Sequence, residues 1–173
     1  MKRASLFVCM GLGLAALCAP ATVHLPVQLV YNPSDSVPPG WYRIGPLGAA
    51  GSLHVGSIVL ARLPTEAAAL AAQRRYLPAG IPLLKRVGAV APTRVCVRER
   101  MVRIDGAAVA TALAQDSRHR PLQAWSQCRR LYQGELFLLS DTSPASFDSR
   151  YFGPIAASAV IGVARPLWTW GAP

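Results

Sequence analysis

Only two of the 18 basic residues in this chain of 173 are lysines, and one of them, Lys85, lies in an apolar run at residues 81–90. Arginine stays protonated in proteins, whereas a lysine among apolar neighbours can lose its proton near neutral pH and activate a nucleophile. Lys85 is therefore the first candidate catalytic residue. The alternative is a lysine whose stem covers apolar surface while its amine reaches water.

A lysine base requires a hydroxyl on a rigid turn and donors for the oxyanion. Ser36 meets the first requirement, because prolines on both sides restrict the backbone around it. Ser34 would point to the same side if this stretch is extended, and its hydroxyl could then donate to the oxyanion beside the Ser36 amide.

A Ser-His-Asp triad is the competing arrangement, and the chain has three histidines that could supply its base. His24 lies in or near the N-terminal apolar segment, His54 lies in a glycine-flanked apolar stretch, and His119 lies in an arginine-rich loop. None of the three has surroundings that favour a buried imidazole, so the sequence favours the lysine.

The N-terminus places Lys2 and Arg3 before an apolar stretch that runs from Leu6 to about Val30. Roughly 20 apolar residues can span a bilayer, with the basic flank in the cytoplasm. We therefore expect residues 1–30 to be an uncleaved membrane anchor and residues 31–173 to be a periplasmic catalytic domain. Removal of a signal peptide is the alternative, although residues 19–21 (Ala-Pro-Ala) offer a poor cleavage site.

The cysteines indicate whether the exported part has a disulfide, and its charge indicates which partner it favours. Cys96 and Cys128 are its only cysteines, and an oxidising compartment favours a disulfide between them, with two unpaired buried thiols as the alternative. No Cys/His spacing indicates a metal, and no cofactor is predicted. The net charge of +10 is scattered without interleaved aromatics, which favours an anionic lipid surface as the partner over nucleic acid.

The pattern of short apolar runs, with 14 glycines and 15 prolines, predicts a mainly antiparallel β fold. We expect strands at residues 56–61, 82–90, 134–140 and 157–164, a helix at residues 67–75, and a hairpin and loop subdomain at about residues 94–131. Alternation along the second strand places Lys85 on the face of Leu83, Val87 and Ala89.

Three segments, in this order, resemble the conserved boxes of type I signal peptidases. They are residues 34–40 (Ser-Asp-Ser-Val-Pro-Pro-Gly), residues 85–87 (Lys-Arg-Val) and residues 140–153, which contain Ser-Phe-Asp-Ser-Arg-Tyr-Phe-Gly. The third is the most specific. Within the family the chain looks most like the TraF branch of conjugative-transfer peptidases, and the resemblance implies a signal-peptidase-like antiparallel β-sheet with one N-terminal membrane helix.

The resemblance also implies a role for individual residues. Ser36 matches the nucleophile, Lys85 the general base, Ser34 the side-chain oxyanion donor, and Ser146 the hydroxyl that orients the lysine. Asp148 matches an acidic residue that the TraF branch counts with the active site, and it is expected to pair with Arg150, with Arg86 as a second partner. Two departures are Ser140, in place of a glycine, and residues 91–93, in place of Pro-Gly-Asp.

The function that the resemblance implies is a membrane-bound serine peptidase at the outer face of a bacterial inner membrane. Its substrate would be a conjugative pilin precursor, bound as an extended strand and closed head to tail into a ring. A general signal peptidase that cleaves exported preproteins is one alternative. An inactive scaffold of a pilus or secretion complex is the other.

Overall fold

The computed structural model describes residues 7–14, 28–48 and 53–170. Residues 7–14 form a helix, α1, and no helix among the described residues is both long and apolar enough to cross a membrane. Most of the expected anchor at residues 1–30 lies outside the described residues.

The described chain from residue 28 onward is mainly antiparallel β, which confirms the predicted class. Its elements are β1 (Gln28–Asn32), β2 (Gly40–Gly45), β3 (Ile58–Ala61), α2 (Thr65–Arg74), β4 (Leu83–Val90), β5 (Arg94–Arg98), β6 (Met101–Ile104), β7 (Ala107–Thr111), β8 (Cys128–Arg130), β9 (Glu135–Leu139), α3 (Ser149–Phe152), β10 (Ile155–Ala156), a 3₁₀ helix (Ala157–Ala159) and β11 (Val160–Thr169). Within the described ranges they form a larger sheet in the order β1-β2-β11-β3-β4-β9-β10 and a smaller one in the order β7-β6-β5-β8.

Strand β4 lies inside the larger sheet, between β3 and β9, and carries the candidate base. Its alternation matches the prediction, because Leu83, Lys85, Val87 and Ala89 are all buried. Lys85 lies opposite Val59 of β3. Val59, Val87 and Leu138 belong to one apolar core cluster, and burial of such side chains is the main favourable term in folding.

The prediction for residues 157–164 is wrong in its bounds. Residues Ala157–Ala159 form a 3₁₀ helix, and β11 begins at Val160 and continues to Thr169. This strand lies in the middle of the larger sheet, paired with both β2 and β3. The last described strand therefore joins two parts of the sheet that come much earlier in the chain.

The smaller sheet falls within residues 94–131 and contains a turn that the sequence analysis did not expect. Glu99 and Arg100 both adopt positive φ and join β5 to β6, and Asp105 and Gly106, also at positive φ, join β6 to β7. Strand β8 adds the far edge, where Cys128 lies opposite Cys96 of β5. The structure joins these two cysteines by a disulfide.

Exposed arginines cover one side of the smaller sheet beside this disulfide. Strand alternation places Arg94 and Arg98 on the same face as Cys96, and Arg103 lies opposite Cys96 on β6. Arg94 also lies directly opposite Arg130 of β8. We call these four residues the arginine face, and none of them forms an ion pair within the described part of the chain.

Exposed aromatic side chains cluster at the β1 edge of the larger sheet, on β1, β2, β11 and the residue that follows β11. Tyr31 lies 5.2 Å from Trp41 and 6.1 Å from Trp170, measured between ring centroids, and Trp168 lies 6.3 Å from Trp170. All four side chains are exposed. We call them the aromatic face.

Candidate active site

A cavity of about 610 Å³ opens between the loop that joins β1 to β2 and the loop that joins β9 to α3. Four of the predicted site residues line it: Ser34, Ser36, Lys85 and Ser146. Apolar side chains supply most of the remaining wall, among them Leu77, Ile81, Leu83, Leu113, Leu122 and Phe147. The cavity therefore combines a small polar group with an apolar binding surface, as ligand sites commonly do.

The serine loop is organised by Asn32, a buried residue at the end of β1. The Asn32 side-chain amide donates to the carbonyls of Ser34 at 2.7 Å and Val37 at 2.9 Å, and its Oδ1 accepts from the Ser34 hydroxyl at 2.8 Å. The segment is a turn, not the extended stretch that the sequence analysis assumed. The turn nevertheless brings the hydroxyls of Ser34 and Ser36 to 2.9 Å.

The far end of the serine loop is fixed by contacts with β2 and with the residue after β11. The Tyr42 hydroxyl donates to the carbonyl of Pro38 at 2.6 Å, and the Trp170 amide donates to the carbonyl of Pro39 at 3.0 Å. Gly40 has φ of +149°, and a Cβ placed there would lie 2.2 Å from the Trp168 carbonyl oxygen. Only glycine fits this position, which explains the glycine of the first box.

Lys85 is only 5% exposed, and its Nζ donates to the Ser146 hydroxyl at 2.5 Å. Burial lowers the pKa of Lys85 from 10.5 to about 8, opposed by the nearby Asp148 carboxylate and assisted by the Arg150 guanidinium. Burial disfavours the charged form of an amine, so the amine is neutral in a useful fraction of molecules near neutral pH. Ser36 and Lys85 line the same cavity, and no direct hydrogen bond joins these two described side chains.

Asp148 and Arg150 form a buried ion pair behind the lysine, with Arg150 Nε 2.8 Å and an η nitrogen 2.7 Å from the two carboxylate oxygens. The guanidinium also donates to the Pro144 carbonyl at 2.9 Å and the Ser146 carbonyl at 3.0 Å. These bonds to the backbone fix the loop that carries Ser146. The pair therefore positions the hydroxyl that contacts Lys85.

Arg86 does not take the place that the sequence analysis gave it as a second partner of Asp148. Its Nε lies 2.8 Å from Asp141, and its guanidinium donates to the Gly56 carbonyl at 2.9 Å. The reason is geometric, because neighbouring residues on a strand point to opposite faces, and Lys85 occupies the face that is directed to the cavity.

The loop after β9 also contacts the serine loop directly. The Thr142 hydroxyl donates to the carbonyl of Asp35, and Ser140 Oγ lies 3.3 Å from Thr142 Oγ1. Asn32 and Thr142 are two polar residues at this site that sequence reasoning missed. An asparagine just before the Pro-Ser turn was the available signal for the first, since Asx side chains commonly bond to the backbone of turns.

The two histidines that the structure describes, His54 and His119, do not line the cavity. His54 Nδ1 lies 2.9 Å from the carbonyl of the next residue and is exposed, and His119 is exposed at positive φ. His24 lies outside the described residues. Among the described residues, no group of His, Cys, Asp and Glu side chains could hold a metal ion.

The chain belongs to the family described as signal peptidase, peptidase S26, whose model matches residues 1–170. The family resemblance of the three boxes is thereby confirmed. Plasmid transfer protein TraF of Escherichia coli is 30% identical to this chain, with 98% of each sequence covered. Probable conjugal transfer protein TraF of Sinorhizobium fredii is 36% identical, with 80% of this chain and 76% of that protein covered.

One solved structure is similar in part, a signal peptidase I from Enterococcus faecalis. It is 21% identical, covers 65% of this chain and 97% of its own chain, and gives a TM-score of 0.36.

Proposed function

We propose that this protein is a serine endopeptidase in which Ser36 is the nucleophile and Lys85 is the general base. The observation that carries the proposal is the Lys85 amine, which is buried, has its pKa lowered to about 8 and lines the same cavity as Ser36. A general base works best when its pKa lies near the operating pH. Burial of a lysine costs stability, and an inactive scaffold protein would gain nothing in return for this cost.

In the first step, Ser36 Oγ attacks the carbonyl carbon of the scissile bond while its proton passes to Lys85 Nζ. Lys85 then gives this proton to the departing amine, and an acyl ester on Ser36 remains. The Ser36 amide and the Ser34 hydroxyl stabilise the oxyanion of the tetrahedral intermediate. Ser146 holds the amine in place, and the Asp148–Arg150 pair holds Ser146.

The second half of the reaction regenerates Ser36, and we propose that the attacking group is the substrate's own terminal amine. The amine attacks the ester carbon, Lys85 accepts its proton and returns one to Ser36 Oγ, and a cyclic amide leaves. Attack by water at the same carbon would give a linear acid. Similarity to the TraF proteins supports a role in conjugation, and we therefore propose a pilin precursor as the substrate, bound as an extended strand.

The processing of a candidate pilin precursor by the full-length protein tests the dyad. We expect Ser36→Ala and Lys85→Ala each to lower the rate by about 10⁴-fold or more, because the nucleophile and its base act as a unit. Ser158→Ala, an exposed serine on the 3₁₀ helix, is the matched control and should process normally. Full processing by both site variants would overturn the proposal and favour the scaffold alternative.

The pH dependence of the wild-type rate provides a second test of the base. The neutral amine is the active form, and the pKa of Lys85 is lowered to about 8. The rate should therefore rise about tenfold per pH unit below pH 8 and level off above it. A rate that is flat from pH 6 to pH 9 would exclude Lys85 as the base.

Mass spectrometry of the product separates ring closure from hydrolysis. A cyclic product is one water lighter than the linear fragment. A linear mass would remove the cyclase part of the proposal and leave the peptidase.

Family membership favours a general signal peptidase as the second candidate function, and cleavage of unrelated exported preproteins at a comparable rate would support it.

We also propose that the protein faces the periplasm from the inner membrane, with the aromatic face against the lipid headgroups. Trp and Tyr side chains favour the membrane interface, and Arg43 and Arg165 lie exposed on the same strands.

In vesicles with brominated lipids, tryptophan fluorescence of the full-length protein should be quenched, and Trp168→Ser should reduce the quenching. Trp125→Phe, on the half-buried tryptophan that packs on Phe137, is the control. Equal quenching in Trp168→Ser and wild type would contradict this orientation.

A further inference from the structure

The geometry points to Thr142 as a positioning residue that fixes the peptide group between Asp35 and Ser36, and so aims the Ser36 amide at the oxyanion. This inference rests on the proposed role of Ser36. It concerns a contact between two loops that lie 107 residues apart in the chain.

The contact is a hydrogen bond from the Thr142 hydroxyl to the carbonyl oxygen of Asp35. In a planar trans peptide group, the carbonyl and the following N–H point in opposite directions. By holding the Asp35 carbonyl, Thr142 therefore directs the N–H of Ser36 away from itself. Among the described residues, this N–H has no acceptor, as expected of a donor kept free for a substrate oxygen.

Thr142 is itself oriented by a chain of hydrogen bonds that runs in one direction. The Ser143 amide donates to Ser140 Oγ at 3.0 Å, and Ser140 Oγ lies 3.3 Å from Thr142 Oγ1. Because the proton of Thr142 is used on Asp35, Ser140 must donate to Thr142. Separately, the Ser140 backbone amide donates to Asp148 at 3.1 Å, so the residue that holds Thr142 is itself tied to the buried ion pair.

This chain of hydrogen bonds explains the role of Ser140, which stands where the family box has a glycine. A glycine has no hydroxyl, so it could not supply the donor that Thr142 accepts. The Ser34 side of the oxyanion site is fixed separately by Asn32, which holds the Ser34 carbonyl. Asn32 and Thr142 thus fix two successive peptide groups on either side of Asp35.

The test compares Thr142→Val, which keeps the shape and removes the hydroxyl, with Thr142→Ser, which keeps the hydroxyl. We measure single-turnover processing of the candidate pilin precursor by full-length protein at saturating and subsaturating substrate. We expect Thr142→Val to lower the maximal rate about 10- to 100-fold and to leave the half-saturating concentration unchanged. The loss should be smaller than that caused by complete removal of an oxyanion donor, because the Ser36 amide is misaligned but still present. Thr142→Ser should stay within about threefold of wild type, because its hydroxyl can make the same bond.

Two controls separate positioning from a general structural effect. Thr93→Val makes the same change in the turn after β4, where the threonine side chain makes no hydrogen bond among the described residues, and should process normally. The pH at which the rate levels off should be the same in Thr142→Val and wild type, because the lysine is not altered.

Three results would overturn the inference: a maximal rate in Thr142→Val within about threefold of wild type, an equal loss in Thr142→Ser, or a loss confined to substrate affinity. Failure of the proposed function is distinguishable, because in that case Ser36→Ala would itself process the precursor. An inactive Ser36→Ala together with a fully active Thr142→Val rejects the role of Thr142 alone.

Discussion

Two groups of charged residues in this protein, the Asp148–Arg150 pair and the arginine face, differ in burial and in pairing. Beside the cavity of the larger sheet, Asp148 and Arg150 are 0% and 1% exposed and satisfy each other and the backbone. On the smaller sheet, the arginine face is exposed and forms no ion pair among the described residues. A buried charge must be paired because water cannot solvate it, whereas an exposed one needs no partner.

The comparison indicates where electrostatics controls the structure. Near Lys85, the Asp148 carboxylate raises and the Arg150 guanidinium lowers the pKa of the lysine, and Arg150 also holds the loop that carries Ser146. On the arginine face the charges form no ion pair among the described residues, and the adjacent Cys96–Cys128 disulfide links the strands instead. We therefore expect substitutions of charged residues to have large effects at the cavity and small effects on the arginine face.

The largest effect is expected from Asp148→Asn, which keeps the shape and leaves the Arg150 charge buried without its partner. We expect the free energy of unfolding to fall by about 3–5 kcal/mol in urea titrations. Asp141→Asn, which breaks the exposed ion pair with Arg86, is the matched control and should cost less than about 1 kcal/mol. Equal losses in the two variants would refute the contrast between buried and exposed pairs.

Removal of the disulfide should produce the next largest effect. Cys96 and Cys128 are separated by 32 positions, and the cross-link restricts the unfolded chain. The double variant Cys96→Ala/Cys128→Ala should lose about 3–4 kcal/mol of unfolding free energy under non-reducing conditions. Cys9→Ser, at an exposed free cysteine, should lose none. A loss below about 1 kcal/mol would show that the smaller sheet does not depend on the cross-link.

Lys85→Met should stabilise the protein although it abolishes processing. The pKa of Lys85 is about 8 in the folded protein, against an ordinary value of 10.5 for a solvated lysine, so the unfolded chain binds more protons between these values. Stability of the wild type therefore rises with pH across this window, and below pH 8 the full cost of burying the ammonium, about 3 kcal/mol, is present. The variant should be more stable at pH 7 by up to this amount and lose the advantage by pH 10.5. A gain in the free energy of unfolding that does not depend on pH would show that the buried ammonium of Lys85 is not its cause.

The smallest effect is expected on the arginine face. Arg94 and Arg130 lie directly opposite each other, and like charges in this position repel. Arg94→Gln should therefore raise the free energy of unfolding by about 0.5 kcal/mol or less at low salt, and added salt should remove the gain. A loss of stability comparable to that of Asp148→Asn would mean that the arginine has a partner within the fold.

Local pattern was sufficient to predict the strands that carry the site. Short apolar runs predicted β3, β4 and β9, and alternation along β4 placed Lys85 on the same face as Leu83, Val87 and Ala89. Local pattern left open whether the lysine amine is buried or reaches water. The helix at residues 67–75 was also close to the observed α2. These elements are determined by residues near each other in the chain, which is the information that periodicity contains.

The rest depends on contacts between distant residues or on unusual backbone conformations. Thr142 and Asp35 are 107 positions apart, so no local pattern connects them. The turn at Glu99 and Arg100 has positive φ at two residues that do not favour it, so the usual Gly or Asn signal is absent. The position of β11 inside the sheet likewise follows from tertiary pairing. Local pattern singled out Lys85, Ser36 and Ser34, whereas Ser146 and Asp148 were identified only by the family resemblance.

The placement of β11 has a consequence for when the protein can act. Strand β2, whose first residue Gly40 abuts Trp168 and Thr169, has only β1 as a partner until β11 arrives between β2 and β3. In a nascent chain that has not emerged through Thr169, the contact of Gly40 with β11 is missing, so the serine loop is not yet fixed at its far end. Under the dyad proposed above, the site is therefore completed only once β11 has been synthesised.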